Sequence, residues 1–314
     1  MPDAAVHYMF GQQVRGALDA DAARYLKDAP FTLALYGPDT WFPYKFWRPR
    51  RCGRGRRMHT THTGAFLTAL ADQAKNGSCR DLMYSYLAGF LCHYALDSAA
   101  HPYIVQRTAE TWKGPGCHRT MEHSLDVLEL RRAGLWGQRH PVTDHCFPKV
   151  SLPEEMSADL DAVYGAVYGW SDCRRTQNRT ARVYRMLYRR MENPKGLIAR
   201  LARLTGSMKL RSLAYSESYL KDADVENLAK QPWRPLTGGA PLTDSFPELR
   251  EKAKEQAAEM IAGAARYIYG DGDREALAAL IGDRSYLSGL RWDDPLNWTV
   301  PGLLPSEDLP AERT

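Results

Sequence analysis

The chain has 314 residues, 44% of them apolar, with 42 Lys and Arg against 37 Asp and Glu for a formal charge of +5. That apolar share excludes a disordered chain and gives material for one sizeable core, while so small a basic excess does not by itself imply a nucleic-acid partner. No uninterrupted apolar run approaches the roughly 18 residues of a membrane-spanning helix, which excludes one.

Residues 1–15 carry Asp3, His7, Gln12, Gln13 and Arg15 with no basic start followed by an apolar run, so no secretory signal is expected and a cytoplasmic location follows. Cys52, Cys79, Cys92, Cys117, Cys146 and Cys173 are scattered without a CxxC pair, the pattern of free thiols in a reducing compartment. Helical signals dominate. A first helix is expected over residues 6–27, broken by Pro30 and by Gly37-Pro38. Residues 39–62 form an irregular connection, aromatic through Trp41, Phe42, Tyr44, Phe46 and Trp47, then basic through Arg48, Arg50, Arg51, Arg54, Arg56 and Arg57. Such a loop packs on the core, lines an acyl cleft, or places residues 41–57 against a membrane surface.

Further helices are expected over 63–76, closed near Gly77, over 79–100 with Pro102 restricting continuation, and over 117–133. A long helical signal spans 154–191, interrupted in propensity by Gly165 and Gly169. Residues 197–230 read as helical, 232–241 as a Pro- and Gly-rich linker, and 246–269 as a strong helix. Residues 285–314, with Pro295, Pro301, Pro305 and Pro310, read as a loosely packed tail of a single helical domain. Tyr215, Glu217 and Tyr219 read as packing and surface residues. The chain is thus expected to be all-α, a compact multi-helix fold with a metal cluster between helices.

The chemistry sits in the first 130 residues, where seven of the nine histidines occur. His93, Asp97 and His101 are spaced i, i+4, i+8; each four-residue step turns a helix by roughly 400° and advances it about 6 Å, so the three share one inclined face. His118 and Glu122 repeat the spacing on the next helix. Imidazole nitrogens and carboxylate oxygens suit Zn²⁺, and buried Asp97 and Glu122 need cations to offset desolvation. Asp39 and His62 lie at loop edges and are further ligand candidates. His59 competes with His62, and spacing does not choose between them. His123 points about 100° away from Glu122 and reads as a supporting or structural residue, while Asp126 could orient a ligand histidine.

Together, His7, Gly37-Pro38-Asp39, His62-Thr63-Gly64-Ala65-Phe66, His93-Tyr94-xx-Asp97, His101-Pro102 and His118-xxx-Glu122 resemble the zinc-dependent phospholipase C family over about residues 1–130. That family is all-helical, uses up to three zinc ions and is related to the P1-type nucleases. The resemblance implies a first zinc among Asp39, His62, His93 and Asp97, a second among His101, His118 and Glu122, and a third held by His7 and Asp97, with Asp97 bridging. It also implies that Asp39 is the base or the carboxylate that orients water. Two departures stand out: secreted members bind the third zinc through an N-terminal tryptophan, where this chain offers Asp3, and His101 follows Asp97 by four residues where they show six. The implied activity is hydrolysis of a phosphodiester, foremost cleavage of a phospholipid to diacylglycerol and a phosphorylated headgroup. A nuclease or soluble phosphodiesterase is the enzymatic alternative, and a non-catalytic metal-stabilised binding protein the third.

Overall fold

The computed structural model describes residues 3–45, 53–111, 116–193, 195–221, 224–235 and 237–298. Among these no β-strand forms; the pairings outside helices are isolated bridges at Trp233–Leu242 and Arg284–Arg291. The axis of the fold is α6, Arg80–Thr111. Its residues 83–97 are buried without exception, from Met83 and Tyr84 to Leu96 and Asp97, as expected for a helix apolar on every side. Around it pack α1 (Ala4–Ala17), α3 (Asp28–Ala34), α5 (Thr63–Asn76), α7 (Cys117–Arg132) and α12 (Phe246–Tyr269). The core joins Phe10, Phe31, Phe66, Phe90, Met260 and Ile261.

Helices α5, α7 and α12 follow the sequence closely. At α12 the reason is local: Ser245 and Glu248 form a reciprocal capping box, with Pro247 in the first turn where a missing N–H has no helical partner to lose. Elsewhere the expected elements divide. The first helix ends at Ala17 because Leu18 is extended, and Asp19 then caps the short α2 (Ala20–Ala23) through the Ala22 N–H at 2.7 Å. Pro30 does not break the chain; it sits in the first turn of α3, a tolerated position. The 154–191 rod is two helices, α8 (Ser157–Tyr168) and α9 (Cys173–Met191), separated where Gly169 turns left-handed at φ 71°. Residues 197–230 are mostly not helical: α10 (Leu197–Thr205) stops at a left-handed Gly206, α11 (Met208–Arg211) is one turn, and only a 3₁₀ turn at Glu217–Lys221 follows among the described residues.

Pro102 was expected to end α6, yet the helix runs through it to Thr111. A proline inside a helix costs about 3 kcal/mol. Burial of α6 against α3, α5 and α12 exceeds that, so packing overrides propensity. The continuity carries His101 onto the same face as His93 and Asp97.

The segment after α13 (Arg274–Ile281) is not a loose tail over 282–298; residues 299–314 lie outside the described chain. Tyr286 is fully buried and Asp283 caps α5, accepting from the Gly64 N–H at 2.7 Å, from Thr63 Oγ1 at 3.0 Å and from Trp292 Nε1 at 2.7 Å. Gly64 of the His-Thr-Gly run is required by this docking, since a Cβ there would stand 2.0 Å from the Gly282 carbonyl. Asp283→Ala removes three hydrogen bonds to one carboxylate and should lower unfolding free energy by about 2 kcal/mol in urea titration; a change within about 0.5 kcal/mol would mean that the segment is not docked.

Candidate metal centre

Four elements converge on the middle of α6. The helix itself supplies His93, Asp97 and His101, all buried. Helix α1 delivers His7, whose Nε2 lies 3.3 Å from Asp97 Oδ1 and whose ring stacks on His93 at 3.9 Å. The start of α1 is fixed by Asp126, which accepts the Ala5 and Val6 N–H groups at 3.0 and 2.9 Å, amides that no helical carbonyl reaches. The 3₁₀ turn Gly37–Trp41 delivers Asp39. Gly37 adopts φ 44°, and a Cβ there would come within 2.6 Å of the His93 ring, so the Gly-Pro-Asp run needs its glycine for both reasons. Helix α4 (Arg54–Thr60) brings His59, and α7 brings His118 and Glu122.

The result is three groups whose ligand atoms lie within 4.8 Å of one another: His7, His93 and Asp97; Asp39, His59 and His93; and His101, His118 and Glu122. Asp97 ties them together. Its Oδ2 lies 3.2 Å from His93 Nε2, 3.8 Å from His59 Nε2 and 3.9 Å from His101 Nδ1. In the third group, His101 Nε2 meets His118 Nε2 at 3.1 Å, and His118 Nε2 lies 2.7 Å from Glu122 Oε1.

The imidazoles are oriented from behind. His59 Nδ1 donates to the Gly55 carbonyl at 2.7 Å, His93 Nδ1 to Leu35 at 3.0 Å, and His101 Nδ1 to Tyr286 at 3.1 Å. A carbonyl only accepts, so each ring carries its proton on Nδ1 and turns the Nε2 lone pair inward. Burial pushes His7 and His59 down to about 4, which keeps both rings neutral at physiological pH. Burial, reinforced by the neighbouring Asp97, pushes the Asp39 carboxyl well above its usual range.

The donor set fits zinc by what it leaves unsatisfied. Both oxygens of Asp97, Oδ1 of Asp39, both nitrogens of His7 and the Nε2 atoms of His59 and His93 are buried without a hydrogen-bond partner. Buried polar atoms are ordinarily paired; this many converging nitrogen and carboxylate donors is what a cation completes. Each of the three groups can hold one ion, in line with two or three zinc ions.

Several sequence expectations change here. His62 is outside the three groups. It occupies the left-handed position before α5, at φ 53°, and its ring lies against Trp292 at 4.7 Å. His59, one turn earlier on α4, takes the inward place. Asp3 does not join the His7 group: it caps α1, and its Oδ2 lies 2.9 Å from His123 Nε2. His123 is therefore structural, stacked on Tyr215 at 4.2 Å. Asp126 holds backbone amides and the Tyr215 hydroxyl instead of orienting a histidine. Trp41 is buried among Tyr164 and Trp170, and Arg54 and Arg57 stack on aromatic rings, so these residues face the protein and not a membrane. Residues 46–52 of that connection lie outside the described chain.

The groups open onto a cavity of ≈ 540 Å³ whose wall includes Asp39, His59, His101, His118 and Glu122. The C-terminal half contributes too, through Tyr184, Tyr188 and Leu287. Tyr184 Oη reaches Asp39 Oδ2 at 3.5 Å and Tyr188 Oη at 2.9 Å. The i, i+4 spacing of these tyrosines puts them on one face of α9, but nothing in the local sequence assigns that face to the cavity wall. Zinc analysis of purified variants separates the two histidines: His59→Ala should lose roughly one ion per chain, and His62→Ala should keep the wild-type content. The reverse pattern would overturn the placement of His59.

No curated protein and no solved structure matches the chain. A family model described as zinc dependent phospholipase C matches residues 6–172, just over half of the chain. The match covers every residue of the three groups, and with the all-helical fold and the convergent donors it makes this protein a member of the zinc-dependent phospholipase C family, a zinc-dependent hydrolase of phosphodiester bonds.

Proposed function

We propose that the substrate is a diacyl glycerophospholipid, cleaved to diacylglycerol and a phosphorylated headgroup. The observation that carries this reading is the adjacency of two spaces that share part of their wall. The ≈ 540 Å³ cavity over the metal groups shares Phe42, Arg119, Tyr184 and Tyr188 with a second groove of ≈ 390 Å³. That groove adds Pro43, Leu187, Met191, Ile198 and Leu213, a largely apolar wall suited to acyl chain, with Arg190 as a second cation beside Arg119. A phosphate at the metal groups therefore has a largely apolar groove beside it, with the exposed Arg119 at the junction to complement its charge.

His59, His93 and Asp39 would hold one zinc, His7, His93 and Asp97 a second, and His101, His118 and Glu122 a third. Zinc in such a centre supplies Lewis acidity to phosphoryl oxygens and lowers the pKa of water. Asp97, fully buried and absent from the cavity wall, holds charge and position. Asp39 lies on the wall, with Oδ2 toward Tyr184 and Oδ1 3.3 Å from His59 Nε2. It is the carboxylate placed to orient the attacking water and take its proton as the P–O bond to glycerol breaks. The departing glycerol oxygen then gains a proton, which completes the addition of water.

One observation favours a second substrate class. Phe42 is 39% exposed at the cavity edge, its ring 5.2 Å from that of His59, and an exposed aromatic can stack a nucleobase. The deciding experiment compares zinc-loaded protein on phosphatidylcholine, a soluble phosphodiester and single-stranded DNA. Lipid turnover well above the other two is expected, and dominant DNA cleavage would replace the lipid reading by the nuclease one. Asp39→Asn should lower lipid turnover by roughly 10²–10⁴-fold with the thermal melt of the zinc-loaded protein preserved; full activity would remove Asp39 from the mechanism.

A further inference from the structure

Helix α10 is amphipathic in the wrong sense for a helix of the core. At about 100° per residue, Leu197, Leu201 and Leu204 fall within an arc of roughly 60°, and they are 61%, 50% and 85% exposed. The side turned to the protein is the opposite one, where Ala199 and Ala202 are buried. The helix thus packs through alanines and presents leucines outward. Exposed leucines are unremarkable singly; three aligned on one face, with the small residues inside, form a surface built to be covered.

Three observations name the cover. The first is charge: residues 193–216 contain Lys195, Arg200, Arg203, Lys209 and Arg211 and no acidic residue. Lys195, Arg200, Arg203 and Lys209 are exposed, and Arg200 and Arg203 follow one another along one flank of the leucine face, where long cationic side chains reach headgroups while leucines enter the acyl region. The second is adjacency: Ile198, next to Leu197, lines the largely apolar groove that shares Phe42, Arg119, Tyr184 and Tyr188 with the metal cavity. The third is the rim of that groove, where Phe42 and Leu213 are 39% and 43% exposed, extending the apolar surface from the helix to the groove.

We infer that α10 is an interfacial anchor that seats the protein on a bilayer containing anionic lipid, with Leu197, Leu201 and Leu204 in the membrane boundary and the groove mouth facing the surface. The inference takes the lipid substrate from the proposed function, but the docking is read separately, by binding. A lipid seated this way passes from the bilayer into the groove beside Ile198 without crossing water, which assigns access to the face formed by α10 together with Phe42 at the groove rim.

The test uses the full zinc-loaded chain, sedimented with phosphatidylcholine vesicles with and without phosphatidylserine. The variants are Leu197→Ser/Leu201→Ser/Leu204→Ser and Arg200→Gln/Arg203→Gln, all at exposed positions. Wild type should bind phosphatidylserine vesicles best. The serine variant should bind on the order of 100-fold more weakly, and the glutamine variant should lose most of the preference for phosphatidylserine at low salt. Both should hydrolyse a water-soluble phosphodiester at the wild-type rate while losing turnover on vesicles. Equal vesicle binding by wild type and the serine variant, or no binding by wild type, overturns the anchor. A wild-type dimer that the serine variant converts to monomer, with vesicle binding unchanged, would assign the leucine face to a second copy of the chain instead. Vesicle binding lost as expected in a protein that hydrolyses no lipid would keep the anchor and remove the phospholipase reading.

Discussion

A single buried carboxylate organises this protein. Asp97 lies at the centre of the longest helix with no exposure, both oxygens lack a hydrogen bond, and four imidazoles stand within 3.9 Å of it. An ionised carboxylate taken out of water costs several kcal/mol unless it is compensated, and the rings of His59 and His93 are turned by their backbone partners to offer Nε2 lone pairs. Neutral imidazoles do not neutralise a carboxylate; cations do. The centre and the fold therefore share one free energy, since binding zinc offsets the desolvation that assembling the helices imposes.

The second dependence runs through the chain's distant end. The Tyr286 N–H donates to the His59 carbonyl at 3.0 Å, while the Tyr286 carbonyl accepts from His101 Nδ1 at 3.1 Å. One residue thus fastens the backbone of α4 and the ring of His101, which belong to two different metal groups. Asp283 fixes the same segment to the start of α5. Although the candidate ligands lie between positions 7 and 122, the geometry that points them inward is completed more than 150 residues later.

Much of this was legible in the sequence. The helical periodicity declared an all-α fold, and the i, i+4, i+8 run of His93, Asp97 and His101, with His118 and Glu122, pointed to the residues that the structure gathers into candidate metal groups. The errors have physical causes. His59 and His62 both border the same turn, and only the tertiary position of α4 and the Trp292 contact of His62 separate them. Pro102 carries a strong local signal against helix, overruled by burial that no local window contains. Residues 285–298 looked loose because the anchors of that segment, Asp283 and Tyr286, act chiefly through partners more than 180 residues away. Tyr184 and Tyr188 were visible as a stripe on a basic helix, but nothing local assigned that stripe to the cavity wall. The leucine face of α10 is the converse: its periodicity reads as buried, and only the packed alanines opposite show that it points out.

The central claim is that zinc occupies the groups gathered around Asp97. Diffraction from crystals of the zinc-loaded protein, collected on both sides of the zinc absorption edge, addresses it directly. The expected result is two or three anomalous peaks, with His93 beside more than one of them, His59 and Asp39 beside one, and His101, His118 and Glu122 around another. Peaks at His62, or no peak near Asp97 after full reconstitution, would contradict the assignment.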